Sequence, residues 1–96
     1  MKIRWTGRAT GNLEGIFDTI ARDSLDAAYR MMGRIRATVR RCADYPNSGR
    51  AGRIENTRES PVPGTAYVVV YRVLEKENTI QILAVVHGAR NWPESF

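Results

Sequence analysis

Apolar and polar residues alternate at the start of the chain and then change to a helical period. The alternation from Lys2 to Trp5 is typical of a short strand. The next apolar residues recur at helical spacing and form one stripe, made of Ala9, Leu13, Ile16, Phe17 and Ile20. Thr6 and Thr10 are both suitable N-caps for this first helix, and the pattern does not choose between them.

A second helical pattern follows after a short break. Asp23 or Ser24 suits its N-cap. Apolar residues then alternate at spacings of three and four, which predicts a helix packed lengthwise on a partner; they are Leu25, Ala28, Met32, Ile35, Val39 and Cys42. Because so few residues separate the two helices, we expect them to form a hairpin. Pro46 marks the end of the second helix.

The C-terminal half is predicted to be β-structure. Residues 66–74 and 79–87 are rich in β-branched and aromatic side chains, and a turn at 75–78 makes them an antiparallel hairpin. Both strands are almost continuously apolar, as in central strands that are covered on both faces. Residues 50–60 form either a loop or a strand with a polar face. The predicted fold is α+β, an N-terminal helical hairpin packed on a small antiparallel β-sheet, in a single domain spanning residues 1–96.

The positive charge is concentrated in the middle of the chain. The net charge is +5, and residues 30–72 carry nine arginines against three acidic residues. Arginine binds phosphate or carboxylate through a planar fork of donors. This distribution favours nucleic acid or an acidic protein as a partner. The alternative is that the arginines reflect the general composition of the genome.

Several classes of site are not expected. The chain has one histidine, His87, and one cysteine, Cys42, which is too few for a metal site, and we predict no metal and no cofactor. No apolar run approaches the ~18 residues of a membrane span, and the first residues lack the apolar segment of a secretory signal. A lone cysteine suits a reducing compartment. We therefore expect a cytoplasmic protein with no membrane contact.

One type of catalysis needs neither a metal nor a cofactor. RNA is cleaved through its own 2′-hydroxyl when a base, an acid and cations surround the phosphate. Arg72 and His87 lie on paired strands, so the register decides whether they converge. The residues that would supply this chemistry are Arg53, Arg58, Tyr71, Arg72, His87 and Arg90. The alternative for each of them is a framework or surface role.

Three segments, together with the order of elements, resemble a known family. "GRAGRIENTRE", "PGTAYVVVYRV" and "ILAVVHGARNWP" are similar to the RelE/ParE superfamily, the toxins of bacterial type II toxin–antitoxin systems. The resemblance covers essentially the whole chain. It implies two N-terminal helices packed on an antiparallel sheet, and a growth inhibitor of the plasmid-stabilisation type.

The resemblance also implies a protein partner. Members of this superfamily are neutralised by a cognate antitoxin, which wraps the toxin with an amphipathic segment in a hetero-oligomer. Grooves between helices commonly bind such segments. The antitoxin-binding candidates lie on the helical hairpin and are Leu13, Phe17, Ile20, Met32 and Ile35.

The superfamily offers two mechanisms. ParE-like members poison DNA gyrase, whereas RelE-like members are ribosome-dependent endonucleases that cut messenger RNA. No tyrosine follows His87, and the ending "HGARNWP" resembles the ParE-like branch more. We therefore favour gyrase inhibition, with Arg53, Arg58, Tyr71, Arg72, His87, Arg90 and Trp92 as catalytic or target-contact candidates. The alternatives are a RelE-like ribonuclease with His87 or Tyr71 as acid or base and, more weakly, a small non-toxic nucleic-acid-binding domain.

Overall fold

A computed structural model describes residues 1–90 and 92–96, and in these residues two helices pack on one five-stranded sheet. The strand order across the sheet is β1-β5-β4-β3-β2. The arrangement confirms the α+β class. The elements are β1 (Lys2–Trp5), α1 (Gly7–Ala21), α2 (Leu25–Asp44), β2 (Arg50–Ala51), β3 (Arg58–Pro61), β4 (Tyr67–Leu74) and β5 (Thr79–His87).

The sheet is mixed and not wholly antiparallel. Strands β2, β3, β4 and β5 pair antiparallel to their neighbours, but β1 pairs parallel to β5, with Lys2 opposite Thr79 and Trp5 opposite Ile82. The expectation of a purely antiparallel sheet is therefore wrong at this one edge. A strand has the same period in either direction, so the sequence pattern of β1 carries no information about the direction of its partner.

Thr6 joins the start of α1 to the sheet. Its hydroxyl accepts a hydrogen bond from the Ala9 backbone N–H at 3.1 Å, which caps the helix, and donates to the Ile82 carbonyl at 2.8 Å. Of the two N-caps that suited α1, the structure selects Thr6, and at α2 it selects Ser24, which accepts from Ala27 N–H at 3.1 Å. The two caps differ because only Thr6 also holds a neighbouring strand.

The main core lies between the helical hairpin and the sheet. The predicted stripe of α2 faces it, apart from Leu25, which begins the helix and is 56% exposed. The β-strands contribute alternate residues, as expected for a pleated sheet. The buried members of this core are Ala9, Ile16, Met32, Ile35, Val39, Cys42, Ala43, Val62, Val69, Tyr71, Ile80, Ile82 and Val85.

A second apolar cluster covers the opposite, outer face of β4 and β5. Its buried members are Val68, Val70, Leu83 and Ala84, and Trp92 and Phe96 of the C-terminal segment pack against them. Leu83 is an extra residue in β5, because the partner of β4 changes from Ala84 to Ile82 between Val70 and Tyr71. Such a bulge lets two consecutive residues face one side. The prediction that both faces of the hairpin are covered is confirmed.

Residues 50–61 form two short strands joined by a polar loop. Strand β2 pairs Arg50 with Glu59, and β3 continues the sheet onto β4. Thr57 holds the loop: its hydroxyl donates to the Ile54 carbonyl at 2.6 Å, and its own carbonyl accepts from Gly52 N–H at 2.8 Å. A segment that the sequence left open between loop and strand is therefore both.

We expect Thr6→Ala to lower the free energy of unfolding by about 2 kcal/mol, and Ser24→Ala by about 1 kcal/mol. Thr6 loses both a helix cap and a bond to β5, whereas Ser24 loses a cap alone. Urea unfolding of the two variants beside the unsubstituted chain measures both values. Equal losses would contradict a role for the bond between Thr6 and Ile82.

Candidate functional site

A buried carboxylate organises the basic segment around β2. Glu59 is 2% exposed and lies on β3. One of its carboxylate oxygens accepts from the Arg50 guanidinium at 3.1 Å, and the other accepts from the Arg53 backbone N–H at 2.7 Å. Nε of Arg53 lies 3.8 Å from the second oxygen. A buried charge requires such partners, so Glu59 determines where both arginines lie.

The structure brings Arg53 and Trp92 together on the outer face of the sheet. The Arg53 guanidinium carbon lies 3.6 Å from the centroid of the Trp92 ring, a cation–π contact. Arg53 also donates to the Gly88 carbonyl at 3.3 Å, and the Trp92 indole N–H donates to the His87 carbonyl at 3.3 Å. These contacts hold the segment after β5 against the β2–β3 loop. Trp92 packs on the outer face of the sheet.

His87 and Arg90 lie on the other side of the sheet, beside α1. Both line a cavity of about 460 Å³ whose far wall includes Gly11 and Gly15. The His87 ring packs edge-on against Tyr67, with centroids 5.9 Å apart, and its Nδ1 accepts from the Ala89 backbone N–H at 3.3 Å. The imidazole is therefore on the helix side, although the backbone carbonyl of the same residue binds Trp92.

Arg72 and His87 do not converge. His87 pairs with Tyr67, whereas Arg72 pairs with Gln81, five residues farther along β4. At about 3.3 Å per residue this separates them by roughly 16 Å along the strand. The two side chains also lie on opposite faces of the sheet. His87 lies opposite Tyr67, which packs with the helix-side core. Arg72 is five residues from Tyr67 on the same strand, and an odd spacing puts its side chain on the other face. Arg72 instead lines a cavity together with Arg58, the first residue of β3.

Tyr71 is a framework residue of the core. Its side chain is 0% exposed. Its hydroxyl donates to the Pro46 carbonyl at 2.7 Å and accepts from the Gly49 backbone N–H at 3.0 Å. These bonds hold the connection between α2 and β2 against the sheet. Tyr71 therefore presents no group to a substrate or a target in this structure, and its position on the same face as Val69 was the sequence signal for burial.

The helical hairpin carries an open groove. Leu13 and Arg36 are shared by two adjoining cavities, of about 420 Å³ beside β1 and about 360 Å³ beside Phe17 and Tyr29. Of the predicted antitoxin contacts, Leu13 and Phe17 line this groove and Met32 forms part of its floor. Ile35 is 0% exposed and lies in the core beneath, because its position in the helical repeat faces the sheet. Ile20 packs against the core and lines neither cavity.

The groove also includes a residue that the sequence pattern missed. Tyr29 is 62% exposed, and its ring meets the Phe17 ring edge-on with centroids 5.1 Å apart. Exposed aromatic side chains beside an apolar groove are typical of protein-binding surfaces. The sequence signal that could have identified Tyr29 is its position on α2 beside the apolar stripe, one residue after Ala28.

Within residues 1–90 and 92–96, no group of three or more His, Cys, Asp or Glu side chains is arranged to hold a metal ion. In the same residues, neither helix is both long and apolar enough to cross a bilayer.

Two buried ionisable groups in the core have raised pKa values. Burial raises the pKa of the Cys42 thiol above its ordinary value of 9.0, although hydrogen bonds with Ser60 and Tyr71 act in the opposite direction. Burial, followed by the neighbouring Cys42, raises the pKa of the Tyr71 hydroxyl above its ordinary value of 10.0. In the folded chain both groups stay neutral to a higher pH than in the unfolded chain.

We expect the contribution of Cys42 and Tyr71 to the free energy of unfolding to be the same at all pH values well below 9 and to fall as the pH rises above about 9. Below their ordinary pKa values, Cys42 and Tyr71 are protonated in both the folded and the unfolded chain. Above those values they ionise first in the unfolded chain, which favours unfolding until the pH passes the raised pKa values of the folded chain. Urea unfolding at about pH 7 and about pH 10 measures the loss. In a Cys42→Ala variant the loss should begin closer to pH 10, because only Tyr71 remains. An unsubstituted chain whose stability does not change between about pH 7 and about pH 10 would refute this.

Comparison with known proteins places this chain in a family. Residues 3–92 match the family model described as the ParE toxin of the type II toxin–antitoxin system, parDE. A protein of Sinorhizobium fredii named "Putative toxin Y4kP" is 41% identical over 93 residues, which cover 97% of this chain and 94% of that protein. "Toxin RelE2" of Caulobacter vibrioides is 33% identical over 89 residues, which cover 93% of this chain and 97% of that protein.

A solved structure shows the same fold. A chain of the chromosomal ParDE toxin–antitoxin system from P. aeruginosa superposes with a TM-score of 0.80 at 22% sequence identity, covering 91% of this chain and 95% of that one. This chain belongs to the ParE family, the toxins of type II toxin–antitoxin systems.

Proposed function

We propose that this toxin arrests growth by binding DNA gyrase and does not cut RNA. The observation that carries the proposal is the separation of the groups that a ribonuclease would need. Tyr71 is buried with its hydroxyl engaged on both sides, and His87 and Arg72 lie on opposite faces of the sheet. General acid–base catalysis requires such groups within hydrogen-bond reach of one phosphate.

The surface that best suits a protein target is the outer face around Arg53 and Trp92. The indole is fixed by its own hydrogen bond and by the guanidinium stacked on it, so little side-chain entropy remains to be lost on binding. Tryptophan and arginine are also the residues that most often dominate binding energy in protein interfaces. A rigid Arg–Trp pair beside a second arginine, Arg50, therefore supports inhibition by binding.

The test measures both activities with the same purified protein. We expect it to inhibit DNA supercoiling by gyrase and to leave ribosome-bound messenger RNA uncut in a primer-extension assay. His87→Ala should retain gyrase inhibition within about twofold, because the imidazole faces α1 and not the Arg53–Trp92 surface.

The nuclease alternative predicts the reverse pattern. Ribosome-dependent cuts that disappear in a folded His87→Ala variant, with gyrase unaffected, would overturn the proposal. Thermal unfolding of the variant beside the unsubstituted chain establishes that it is folded. Growth arrest with neither activity would also contradict gyrase as the target.

The partner of a type II toxin is its antitoxin, and we infer that an amphipathic helix of the antitoxin binds the groove across α1 and α2. The groove offers an apolar floor at Leu13 and Met32 with the Phe17–Tyr29 pair at one end. Its rim carries both signs of charge, Glu14 and Asp18 from α1 against Arg36 from α2. An apolar floor with a charged rim is the arrangement that binds amphipathic helices.

Tyr29→Ala should weaken binding of the cognate antitoxin about tenfold or more, because it removes an exposed aromatic side chain from the groove. Leu25→Ala is the matched control, since Leu25 is 56% exposed on the same helix but does not line the groove. Titration calorimetry with each toxin variant measures the two affinities. Equal affinities would place the antitoxin elsewhere on the toxin.

A further inference from the structure

A cavity between α2 and the end of β3 lies apart from the Arg53–Trp92 surface and from the groove across α1 and α2. It measures about 550 Å³, and its lining contains no acidic side chain. One side of α2 forms one wall, and the end of β3 with the turn after it forms the other. The lining residues are Arg34, Ala37, Thr38, Arg41, Ser60, Pro61, Pro63 and Gly64. Two cations therefore border an open space whose remaining lining is uncharged.

The two arginines lie on one side of α2 with a notch between them. Arg34 and Arg41 are seven residues apart, which is nearly two helical turns, so their side chains leave the helix on the same side about 10 Å apart along its axis. Ala37 lies between them and is exposed. Because its side chain is a single methyl group, the space between the two guanidinium groups stays open.

The Arg34 side chain reaches across the cavity to the turn after β3. Gly64 in that turn has a φ of +74°, a conformation that favours glycine. A Cβ atom at Gly64 would lie 2.7 Å from Nη1 of Arg34, so the guanidinium rests directly against this turn. The contact limits the positions open to Arg34 and lowers the side-chain entropy that it would lose on binding a ligand.

Neither arginine is neutralised within the part of the chain that the structure describes. The ion pairs among residues 1–90 and 92–96 are those of Arg4 with Glu77 and of Arg50 and Arg53 with Glu59, so Arg34 and Arg41 belong to none of them. Both residues are exposed, and their donors are therefore accessible to a ligand in the open cavity. A guanidinium group binds a carboxylate through two parallel hydrogen bonds, which makes an acidic ligand the chemical complement.

We propose that this cavity binds an acidic peptide segment of a partner protein. The segment carries two carboxylates about 10 Å apart, matched to Arg34 and Arg41, with one apolar side chain between them. The carboxylates pair with the two guanidinium groups. The apolar side chain fills the notch over Ala37 and contacts Pro61 and Pro63 on the opposite wall. Charge complementarity fixes the ends of the segment, and the uncharged floor selects what lies between them.

A nucleic-acid strand fits the same lining less well. Each strand of a duplex carries one negative charge for about 3.4 Å of its axis, so a strand crossing from Arg34 to Arg41 would place further phosphates over the floor. Ala37 has no side-chain donor there, and the Thr38 hydroxyl already donates to the Arg34 carbonyl at 3.0 Å. Phosphates over the floor would lose water without gaining a partner, whereas a peptide can place an apolar residue at that point.

The partner is expected to bind through its side chains and not by extending the sheet. Strand β2 pairs with Arg58 and Glu59 alone, so Ser60 and Pro61 continue β3 beyond it along the cavity. Proline has no backbone N–H to donate to a further strand. Recognition therefore depends on the arginine pair and the notch.

This inference goes beyond gyrase inhibition and does not depend on it. The cavity also lies on a different side of α2 from the groove assigned to the antitoxin. Arg34 lines the cavity and Arg36 lines the groove, and two residues along a helix are about 200° apart around its axis. A helix bound in the groove would therefore leave the cavity open, and the toxin would have a second surface for a protein.

The first test lets the surface select its own ligand. A phage-displayed peptide library is selected on the purified toxin, and peptides that also bind the Arg34→Gln variant are removed. We expect the remaining peptides to carry Asp or Glu on both sides of an apolar residue. A selection in which no peptide distinguishes the two proteins would overturn the site, and so would distinguishing peptides without acidic residues. Thermal unfolding establishes that the variant is folded.

The second test measures the affinity of one selected peptide by fluorescence anisotropy. Arg41→Gln should weaken binding about fivefold or more, because one carboxylate loses its partner. Arg22→Gln is the matched control, since Arg22 is exposed at the end of α1 and outside the lining, and it should change the affinity less than about twofold. Equal losses in both variants would reduce the binding to general electrostatic attraction and refute the site.

Ala37→Leu separates the shape of the cavity from its charge. The variant keeps both arginines, and leucine is well tolerated at an exposed position within a helix, so the fold should be retained. The larger side chain fills the notch and should weaken binding of the same peptide about tenfold or more. An unchanged affinity in a folded Ala37→Leu variant would contradict the proposal, because the charges alone would then explain the binding.

Two further measurements separate this partner from the antitoxin and from nucleic acid. The peptide should bind the complex of the toxin with its cognate antitoxin within about twofold of its affinity for the free toxin. Loss of binding in the complex would assign the cavity to the antitoxin and overturn a separate partner. A short DNA duplex should lose no more affinity in Arg34→Gln than in Arg22→Gln, and a larger loss in Arg34→Gln would overturn the proposal in favour of nucleic acid.

Discussion

The central pair of strands, β4 and β5, is apolar on both faces, and the rest of the molecule is arranged to cover it. Val69 and Ile82 face the helices, while Val70 and Ala84 face the other way. All four side chains are completely buried. Leaving either face in water would forfeit about 25 cal/mol for each Å² of apolar surface. The helical hairpin therefore covers one face, and the C-terminal segment must cover the other, which is why Trp92 lies where it does.

The same constraint distributes the positive charge. Arginine side chains cannot be buried on the covered faces without partners. Four of them therefore lie around β2, in the β2–β3 loop and beside the start of β3: Arg50, Arg53, Arg58 and Arg72. A single buried carboxylate, Glu59, holds Arg50 and Arg53 against the outer face. Arg58 and Arg72 have no such counter-charge among the described residues. One pair of arginines is thus bound to a buried carboxylate, whereas the other pair lines a cavity at the start of β3.

The sequence named candidate residues but not their arrangement. In the structure Arg53 contacts Trp92, and Arg58 and Arg72 line one cavity, while their role at a target stays a prediction. The sequence made Tyr71 a catalytic or target-contact candidate and left a framework role as the alternative. In the structure Tyr71 has the framework role, since its hydroxyl forms two backbone hydrogen bonds in the core. Neither contact could be inferred beforehand, because the partners at Pro46 and Gly49 are more than 20 positions away in the chain.

The sequence by itself determined the elements and their class. The bounds of α1, α2, β4 and β5 follow from periods of 3.6 and 2 and from side chains that cap or break a helix, all of which are local properties. Only the tertiary structure decided the parallel pairing of β1, the bulge at Leu83 and the separation of His87 from Arg72. The physical reason is that these depend on register between distant segments, which is chosen by how two whole surfaces pack and is not encoded at any single position.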